Sequence, residues 1–253
     1  MQIKYAITKC ILIIGLFSSL ASTGTAVAGP LQWIRNACQA IQWQLEGWKQ
    51  PQPLSHLDSD FFDGVPSKFV AAKEGRENEG LYKIATTRGP AIIKLLSKVR
   101  FTEIAEIHAL FSANNFAPEI FGVVNKQTLE TIGIRDLPKN LTGGFVIKVL
   151  PEVWAPKGAG PLPDFVKKLD TSKIISQIEA IERFIVANQF TPEDFQVLVT
   201  PDSRVYVIDF DLFRQTNSLS NWEKRERIWH FQTVRKEIEQ GIDDALQGKK
   251  YKY

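Results

Sequence analysis

The stretch 191–211, TPEDFQVLVTPDSRVYVIDFD, constrains the fold more than any other part of the chain. Two β-branched runs, 197–199 and 205–208, predict short strands, and Pro201-Asp202-Ser203 between them predicts a tight turn. The second run ends in Asp209-Phe210-Asp211, so two carboxylates stand just past the end of a strand. Because a rigid strand aims the residues of the loop that follows it, we expect a functional site at this position.

Two polar residues precede the hairpin at fixed distances from Asp209. Gln196 lies thirteen residues before Asp209, and Asp194 lies two residues before Gln196. This arrangement resembles the catalytic segment of the protein kinase-like fold, in which a loop with a catalytic Asp and a metal-binding Asn precedes a hairpin and an Asp-Phe-Gly motif. It is similar to the Asp-x-Gln arrangement of minimal bacterial effector and toxin kinases. The resemblance implies that Gln196 and Asp209 bind Mg²⁺ and that Asp194 is the catalytic base.

The same segment departs from the kinase pattern at two positions. Thr191 stands five residues before Gln196, where such kinases carry the catalytic Asp, and Asp211 replaces the Gly of Asp-Phe-Gly. These departures leave open a pseudokinase that has lost its base. The alternative without a functional site is an ordinary acidic hairpin whose carboxylates are solvated.

The segments upstream resemble the start of a kinase small lobe. Strands are predicted over 68–72, 81–87 and 91–96. Lys94 is the one charged residue of the third strand, and the resemblance implies that it contacts the α- and β-phosphates of ATP. Its implied partner is Glu106 of a helix predicted over 101–115, with Glu103 as the second candidate. The alternatives are a lysine that reaches water and two solvated acids.

Four further residues are candidates for nucleotide binding. Gly75 and Gly80 bracket a turn in which backbone amides could approach phosphates, although a plain hairpin turn explains them equally well. The apolar run 144–154 is broken by a proline, and the resemblance makes it the hinge where the backbone near Leu150 and Glu152 holds adenine. A simple edge strand is the alternative for this run.

Two longer helices are predicted over 171–188 and 219–247. The residues expected to supply the apolar contacts of the second helix are Trp222, Ile228, Trp229, Phe231 and Val234. Only 42 residues follow Asp211, so a large lobe of this kind would be truncated.

Residues 1–28 have the pattern of a secretory signal. Lys4 and Lys9 form a positively charged region before an apolar stretch that begins at Cys10, and Ala26-Val27-Ala28 is a small-residue cleavage site. The apolar stretch is shorter than the roughly 18 residues of a membrane span, and an uncleaved anchor is the alternative. Cleavage would leave Cys38 as the one cysteine, so no intramolecular disulfide is expected in a monomer.

The region 29–66 is predicted to hold an amphipathic helix over 31–48 and a proline-rich linker over 50–66. We expect the helix to pack on the domain. A docking helix for a partner or a membrane surface is the alternative.

These observations predict an α+β protein with a two-lobed, protein kinase-like fold and a truncated large lobe. The kinase-like domain would span 67–253, with a small lobe over about 67–148 and a large lobe over about 149–253. We expect a secreted or periplasmic minimal kinase that uses ATP and Mg²⁺ to phosphorylate Ser or Thr of a protein substrate, such as a host protein. A pseudokinase that binds proteins and a small-molecule phosphotransferase are the alternatives, the latter favoured by Ala117-Pro118-Glu119.

Charge and hydropathy limit the partners. The formal net charge is +3, and loss of Lys4 and Lys9 with the signal would leave +1. This balance gives no reason to expect a nucleic acid as partner. We also expect no stable membrane insertion once the signal is cleaved.

Overall fold

The structure is a computed structural model, and it describes residues 40–71, 78–97, 100–135, 137, 139, 141–156, 162–215 and 220–248. The chain divides into two compact units, residues 1–49 and residues 50–253. The predicted signal 1–28 lies outside the described residues, as does Cys38.

In the first unit, the described residues form a helix over 40–46. The rings of Trp43 and Trp48 meet edge to face, with a centroid distance of 5.9 Å. This helix confirms the corresponding part of the predicted helix 31–48, whose earlier residues lie outside the described ranges.

The second unit is mixed α+β, as predicted. Its strands are β1 (Phe62–Ala71), β2 (Asn78–Thr86), β3 (Gly89–Ser97), β4 (Ile120–Asn125), β5 (Leu141–Lys148), β6 (Phe190–Pro192), β7 (Gln196–Val199), β8 (Val205–Ile208) and β9 (Phe213–Gln215). Its helices are α1 (Phe101–Ala113), α2 (Lys126–Thr131), α3 (Thr171–Ala187) and α4 (Asn221–Leu246). Short 3₁₀ turns cover Ser59–Phe61, Val166–Lys168 and Phe210–Leu212.

A five-stranded antiparallel sheet in the order β1-β2-β3-β5-β4 forms the first half of this unit. Side chains alternate between the two faces of a strand, so the central strand β3 serves both faces. Ala91, Ile93 and Leu95 belong to the buried cluster on one face. Ile92 and Lys94 line a cavity on the other.

The segment 50–66, which was predicted to be a linker, is bonded to the five-stranded sheet. Leu57 donates its backbone N–H to the oxygen of Val123 in β4, and the Val123 N–H bonds the oxygen of Ser55, both at 2.9 Å. Strand β1 begins at Phe62, so residue 66, the predicted end of the linker, lies inside a strand. Pro66 is tolerated there because β1 is an edge strand and its register shifts between Asp63 and Ser67.

Helix α3 confirms the helix predicted over 171–188. The Asp170 side chain caps it by accepting from the Lys173 N–H at 3.0 Å. Its buried residues are Ile174, Ile178, Ile181, Phe184 and Ile185.

Helix α4 was predicted correctly as a helix, but its buried face was predicted only in part. Phe231 and Val234 are buried, whereas Trp222 and Trp229 are 62% and 58% exposed and Ile228 is also exposed. The buried stripe continues through residues that the prediction did not name, Ile238 and Ile242. Among the described residues, no helix is both long enough and apolar enough to cross a membrane.

Candidate functional site

The ammonium group of Lys94 lies between two carboxylates that follow β8. Its Nζ is 2.9 Å from Asp209 Oδ1 and 2.5 Å from Asp211 Oδ1. Lys94 pairs with Leu81 of β2 and Phe145 of β5 in the middle of the sheet, and the residue is only 7% exposed. The alternative of a strand-end lysine that reaches water is therefore wrong.

The backbone of Asp209 adopts a left-handed conformation, with φ 59° and ψ 67°. Such a conformation is uncommon for a residue with a side chain, and Asp is one of the residues that tolerate it best. It is maintained by the next residue, because the Phe210 ring is buried against Phe111 and Phe213, with centroid distances of 4.9 Å to each. Strand β8 and this buried ring together fix the carboxylate of Asp209 at the cleft.

The register of the β7–β8 hairpin brings Gln196 next to Asp209. Gln196 pairs with Ile208, the last residue of β8, and both Gln196 and Asp209 line the cleft. The hairpin forms because Val197, Val199, Val205 and Val207 bury one of its faces. Its turn is closed by Thr200. The Thr200 hydroxyl donates to Asp202 Oδ1 at 2.6 Å, and the backbone oxygen of Thr200 accepts from the Ser203 N–H at 2.9 Å.

Asp194 contacts Gln196 directly. The Gln196 Nε2 donates to Asp194 Oδ2 at 2.5 Å. With its nitrogen used in this way, the Gln196 amide has its oxygen as the atom that can coordinate a cation. Asp194 is half-buried and is not among the described residues that line the cleft, but it contacts one of them, Gln196.

The cleft is a cavity of about 490 Å³. It is lined by Leu81, Lys83, Ile92, Lys94, His108, Pro118, Phe145, Ile147, Lys148, Val149, Leu150, Val153, Gln196, Leu198, Ile208, Asp209 and Phe210. Three predicted site residues that are distant in sequence, Lys94, Gln196 and Asp209, thus meet in one cavity. Its volume is in the range of small-molecule sites, which combine apolar walls with a few polar groups.

The predicted nucleotide-binding residues fall in different places. Leu150 lines the cleft, whereas Glu152 is exposed and is not among the described lining residues. Gly80 lies inside β2, paired with Ala71 and Leu95, and not in the predicted turn. Gly75 lies outside the described residues.

The predicted ion pair between Lys94 and Glu106 is wrong. Glu106 is exposed and lines a second cavity, of about 910 Å³, together with Glu103. Successive residues of an α-helix are rotated by about 100°, so a residue two positions away points to nearly the opposite side. His108 is the α1 residue that faces the cleft, and Glu106 therefore cannot.

Glu103 and Arg100 form a contact that the sequence analysis did not predict. Arg100 donates to Glu103 from Nε at 2.8 Å and from Nη2 at 3.0 Å. This hydrogen bonding lowers the pKa of Glu103. The same guanidinium donates from Nη1 to the backbone oxygen of Asp211 at 2.5 Å and from Nη2 to that of Phe213. The spacing of Arg100 and Glu103, three residues apart, was the only sequence signal of this contact.

His108 lines the cleft, although no pattern in the sequence predicted it there. It is buried, and its Nε2 lies 2.9 Å from the Pro118 oxygen, so this nitrogen carries the proton of the neutral ring. Burial lowers the pKa of His108 to about 4; the bond to Pro118 opposes this, and the Lys94 ammonium adds to it. The ring also meets Phe145 and Phe210 at centroid distances of 5.5 Å and 5.1 Å.

The two carboxylates that bind Lys94 differ in their surroundings. The side chain of Asp209 is 43% exposed, whereas that of Asp211 is 16% exposed. Burial raises the pKa of Asp211 above its ordinary value; the Lys94 ammonium opposes this and the Asp209 carboxylate adds to it. Asp209 is thus the carboxylate that remains accessible from the cavity.

Comparison with known proteins assigns no family to this chain. No protein-family model matches it, and no curated protein matches it.

Proposed function

We propose that the chain is a secreted minimal protein kinase that transfers the γ-phosphate of ATP to a Ser or Thr hydroxyl of a protein substrate. One observation carries this proposal: Lys94, Gln196 and Asp209 line one cleft, with Asp194 bonded to Gln196. These residues come from β3, the start of β7 and the end of β8, so only the fold brings them together. This set of residue types is the one that phosphoryl transfer uses for positioning and charge neutralisation.

In this proposal the five-stranded sheet and α1 form the small lobe of a kinase-like fold. The segment from about residue 149 onwards, with α3, the β7–β8 hairpin and α4, forms a truncated large lobe. The cleft residues come from both parts, since Lys83 and Lys94 belong to the sheet while Leu198 and Ile208 belong to the hairpin. This arrangement supports a two-lobed organisation.

The cleft suits a nucleotide. Its wall near residues 147–150 is mostly apolar and suits the base, whereas Lys94 stands where the phosphates would lie. Along this wall the Val149 N–H is bonded to the Pro90 oxygen at 3.0 Å. The backbone of the next residue, Leu150, is our candidate for a hydrogen bond to adenine.

The donor set also suits Mg²⁺. Among the described residues, no group of three or more His, Cys, Asp and Glu side chains is arranged as a metal site. Magnesium in phosphotransferases needs fewer protein ligands, because one or two carboxylates and the substrate phosphates suffice. Asp209 and the amide oxygen of Gln196 would hold the ion, which when bound would neutralise charge on the phosphates.

Asp194 would act on the acceptor hydroxyl. As the hydroxyl oxygen forms its bond to the γ-phosphorus and the bond to ADP breaks, Asp194 accepts the proton. The bond from Gln196 Nε2 holds the Asp194 carboxylate beside the cleft residue Gln196. Thr191, at the position where kinases carry their base, has a buried hydroxyl for which the described residues provide no hydrogen-bond partner.

Phosphoryl transfer by the purified protein tests this proposal. The protein is incubated with ATP and Mg²⁺ and with candidate protein acceptors, and phosphate incorporation is measured by intact mass. We expect Asp209→Asn and Asp194→Asn each to lower the rate by at least about 100-fold, since each removes a group that acts in the transition state. Asp164→Asn is the matched control, because Asp164 is fully exposed and lies outside the cleft.

A pseudokinase that binds proteins is the second candidate, and a specific observation favours it. Asp211 forms an ion pair with the Lys94 ammonium, which would otherwise bind phosphate, and Glu106 lines a different cavity. This candidate predicts no transfer and no shift of the thermal midpoint with ATP and Mg²⁺. A shift that Asp209→Asn abolishes would favour the kinase, because ligand binding to the native state stabilises it.

A further inference from the structure

The two carboxylates on Lys94 are suited to different tasks. Asp209 is the more exposed of the two and lines the cleft, so it can exchange the ammonium for a cation. Asp211 is the more covered, is the nearer of the two to Nζ, and is not among the described residues that line the cavity. A carboxylate in that position can hold the lysine while the cavity is filled.

Arg100 fixes the backbone that carries Asp211. Its guanidinium donates to the backbone oxygens of Asp211 and Phe213, and it binds Glu103 through Nε at 2.8 Å and Nη2 at 3.0 Å. The side chain of Arg100 is only 14% exposed and its bonds to the two backbone oxygens are part-buried, so solvent screens those two bonds weakly. Through Arg100, the start of α1 is joined to the turn from which Asp211 reaches Lys94.

We propose that Asp211 is the residue that positions Lys94, and that α1 acts on this lysine through Arg100, which its Glu103 holds, and not through a direct ion pair with Glu106. The role assigned by resemblance to Glu106 would thus belong to Asp211. As far as it concerns phosphate binding, this inference rests on the kinase function proposed above. The ion pair itself can be tested without any nucleotide.

The first test measures how readily Lys94 is acylated, in the full-length protein and without nucleotide. An amine held by carboxylates reacts slowly with a small acylating reagent, and mass spectrometry of peptides reports each lysine separately. Lys83 is the internal reference, because it lines the same cavity. Three variants are compared with the wild type: Asp211→Asn, Arg100→Gln, and Glu106→Gln as the matched control.

We expect Asp211→Asn to raise the ratio of Lys94 to Lys83 acylation by at least about tenfold, the factor for losing one charge-assisted hydrogen bond. Arg100→Gln should raise it by a smaller factor, because the carboxylate remains but its backbone is released. Glu106→Gln should leave it unchanged. An unchanged ratio in both Asp211→Asn and Arg100→Gln, or a rise in Glu106→Gln, would overturn the proposal.

The second test separates positioning from blocking. If Asp211 positions Lys94, Asp211→Asn should raise the KM for ATP by about tenfold. If Asp211 instead blocks the lysine, the same variant and Asp211→Gly should bind ATP more tightly, which would overturn the proposal. Should the wild type transfer no phosphate and bind no ATP, the kinase function fails, and the acylation ratios alone decide the role of Asp211.

Discussion

His108 is a titratable residue whose burial makes protonation unfavourable. The imidazole is buried against Phe145 and Phe210, and its neutral form donates to the Pro118 oxygen. Protonation would place a second positive charge near Lys94, on a ring that is itself buried. His108 therefore favours the fold only while it is neutral.

Stability should depend on pH through this residue. The pKa of His108 is about 4 in the folded protein and about 6.5 in the unfolded chain, so only the unfolded chain gains the proton between these values. The free energy of unfolding should fall as pH decreases through this window, by about 2 kcal/mol from pH 7 to pH 5.

Urea unfolding at pH 7 and pH 5 measures this effect in the wild type and in His108→Gln, which keeps a donor for Pro118 but cannot titrate. The variant should lose less stability than the wild type between the two pH values. Equal losses would show that other groups cause the pH dependence.

Among single residues, the positions of Lys94, Gln196 and Asp209 in one cleft were predicted from the sequence, and positions set by rotation about a helix were not. Lys94 could be predicted to lie in the cleft because one charge in an apolar strand is unusual, and the resemblance to the kinase segment indicated Gln196 and Asp209. The predicted ion pair between Lys94 and Glu106 was wrong, because the sequence does not show which face of α1 meets the cleft. The role of Asp211 could not be predicted, since only the strand-end position of this carboxylate was visible.

Helix α4 packs against Trp154 at Gly241, so closely that a larger residue at this position would clash with the indole. Gly241 lies within α4, where glycine is disfavoured by about 1 kcal/mol relative to Ala. A Cβ at this position would lie 2.3 Å from Cζ2 of Trp154, whose backbone is bonded to Val199 of β7. The glycine is needed for contact with the indole.

Gly241→Ala should therefore destabilise the protein by about 1–3 kcal/mol, although the same change in an open helix would stabilise it. The midpoint of urea unfolding gives the sign directly. The cost should shrink when Trp154→Phe is also present, because the smaller ring leaves room for the methyl group. A stabilising effect of Gly241→Ala alone would show that α4 does not pack on Trp154 as described.

The elements themselves were predicted better than their faces. Periodicity gave α3 as a helix, because most of its apolar residues form a single stripe, which the structure buries. In α4 the tryptophans misled the prediction, since Trp222 and Trp229 recur at a helical spacing but lie on the exposed side. The stripe ending in Ile238 and Ile242 is the one that packs.

For the molecule as a whole, Phe111 connects parts of the chain that are distant in sequence. Its ring, on α1, meets Phe184 of α3 at 5.1 Å and Phe210 beside Asp209 at 4.9 Å. This contact joins the helix that packs on the sheet to the helix beneath the hairpin. Such long-range packing was beyond the sequence, as was the pairing of Ser55 and Leu57 with β4, because neither leaves a local pattern.

Phe111→Ala should lower the free energy of unfolding by about 3–5 kcal/mol, since it opens a cavity at this junction. Val186→Ala, on the exposed side of α3, should change it by no more than about 0.5 kcal/mol. Chemical denaturation followed by circular dichroism measures both. Similar losses in the two variants would argue against a central role for Phe111.

The β7–β8 hairpin also sets rules for how this chain can change in length. Inserting one residue into β7 would turn Gln196 to the opposite face of the hairpin, because strand side chains alternate. Additions at the turn around Pro201 and Asp202 leave the pairing of Gln196 with Ile208 intact, and longer loops cost little in closure entropy. Relatives of this protein should therefore vary in length at this turn and keep both strands unchanged.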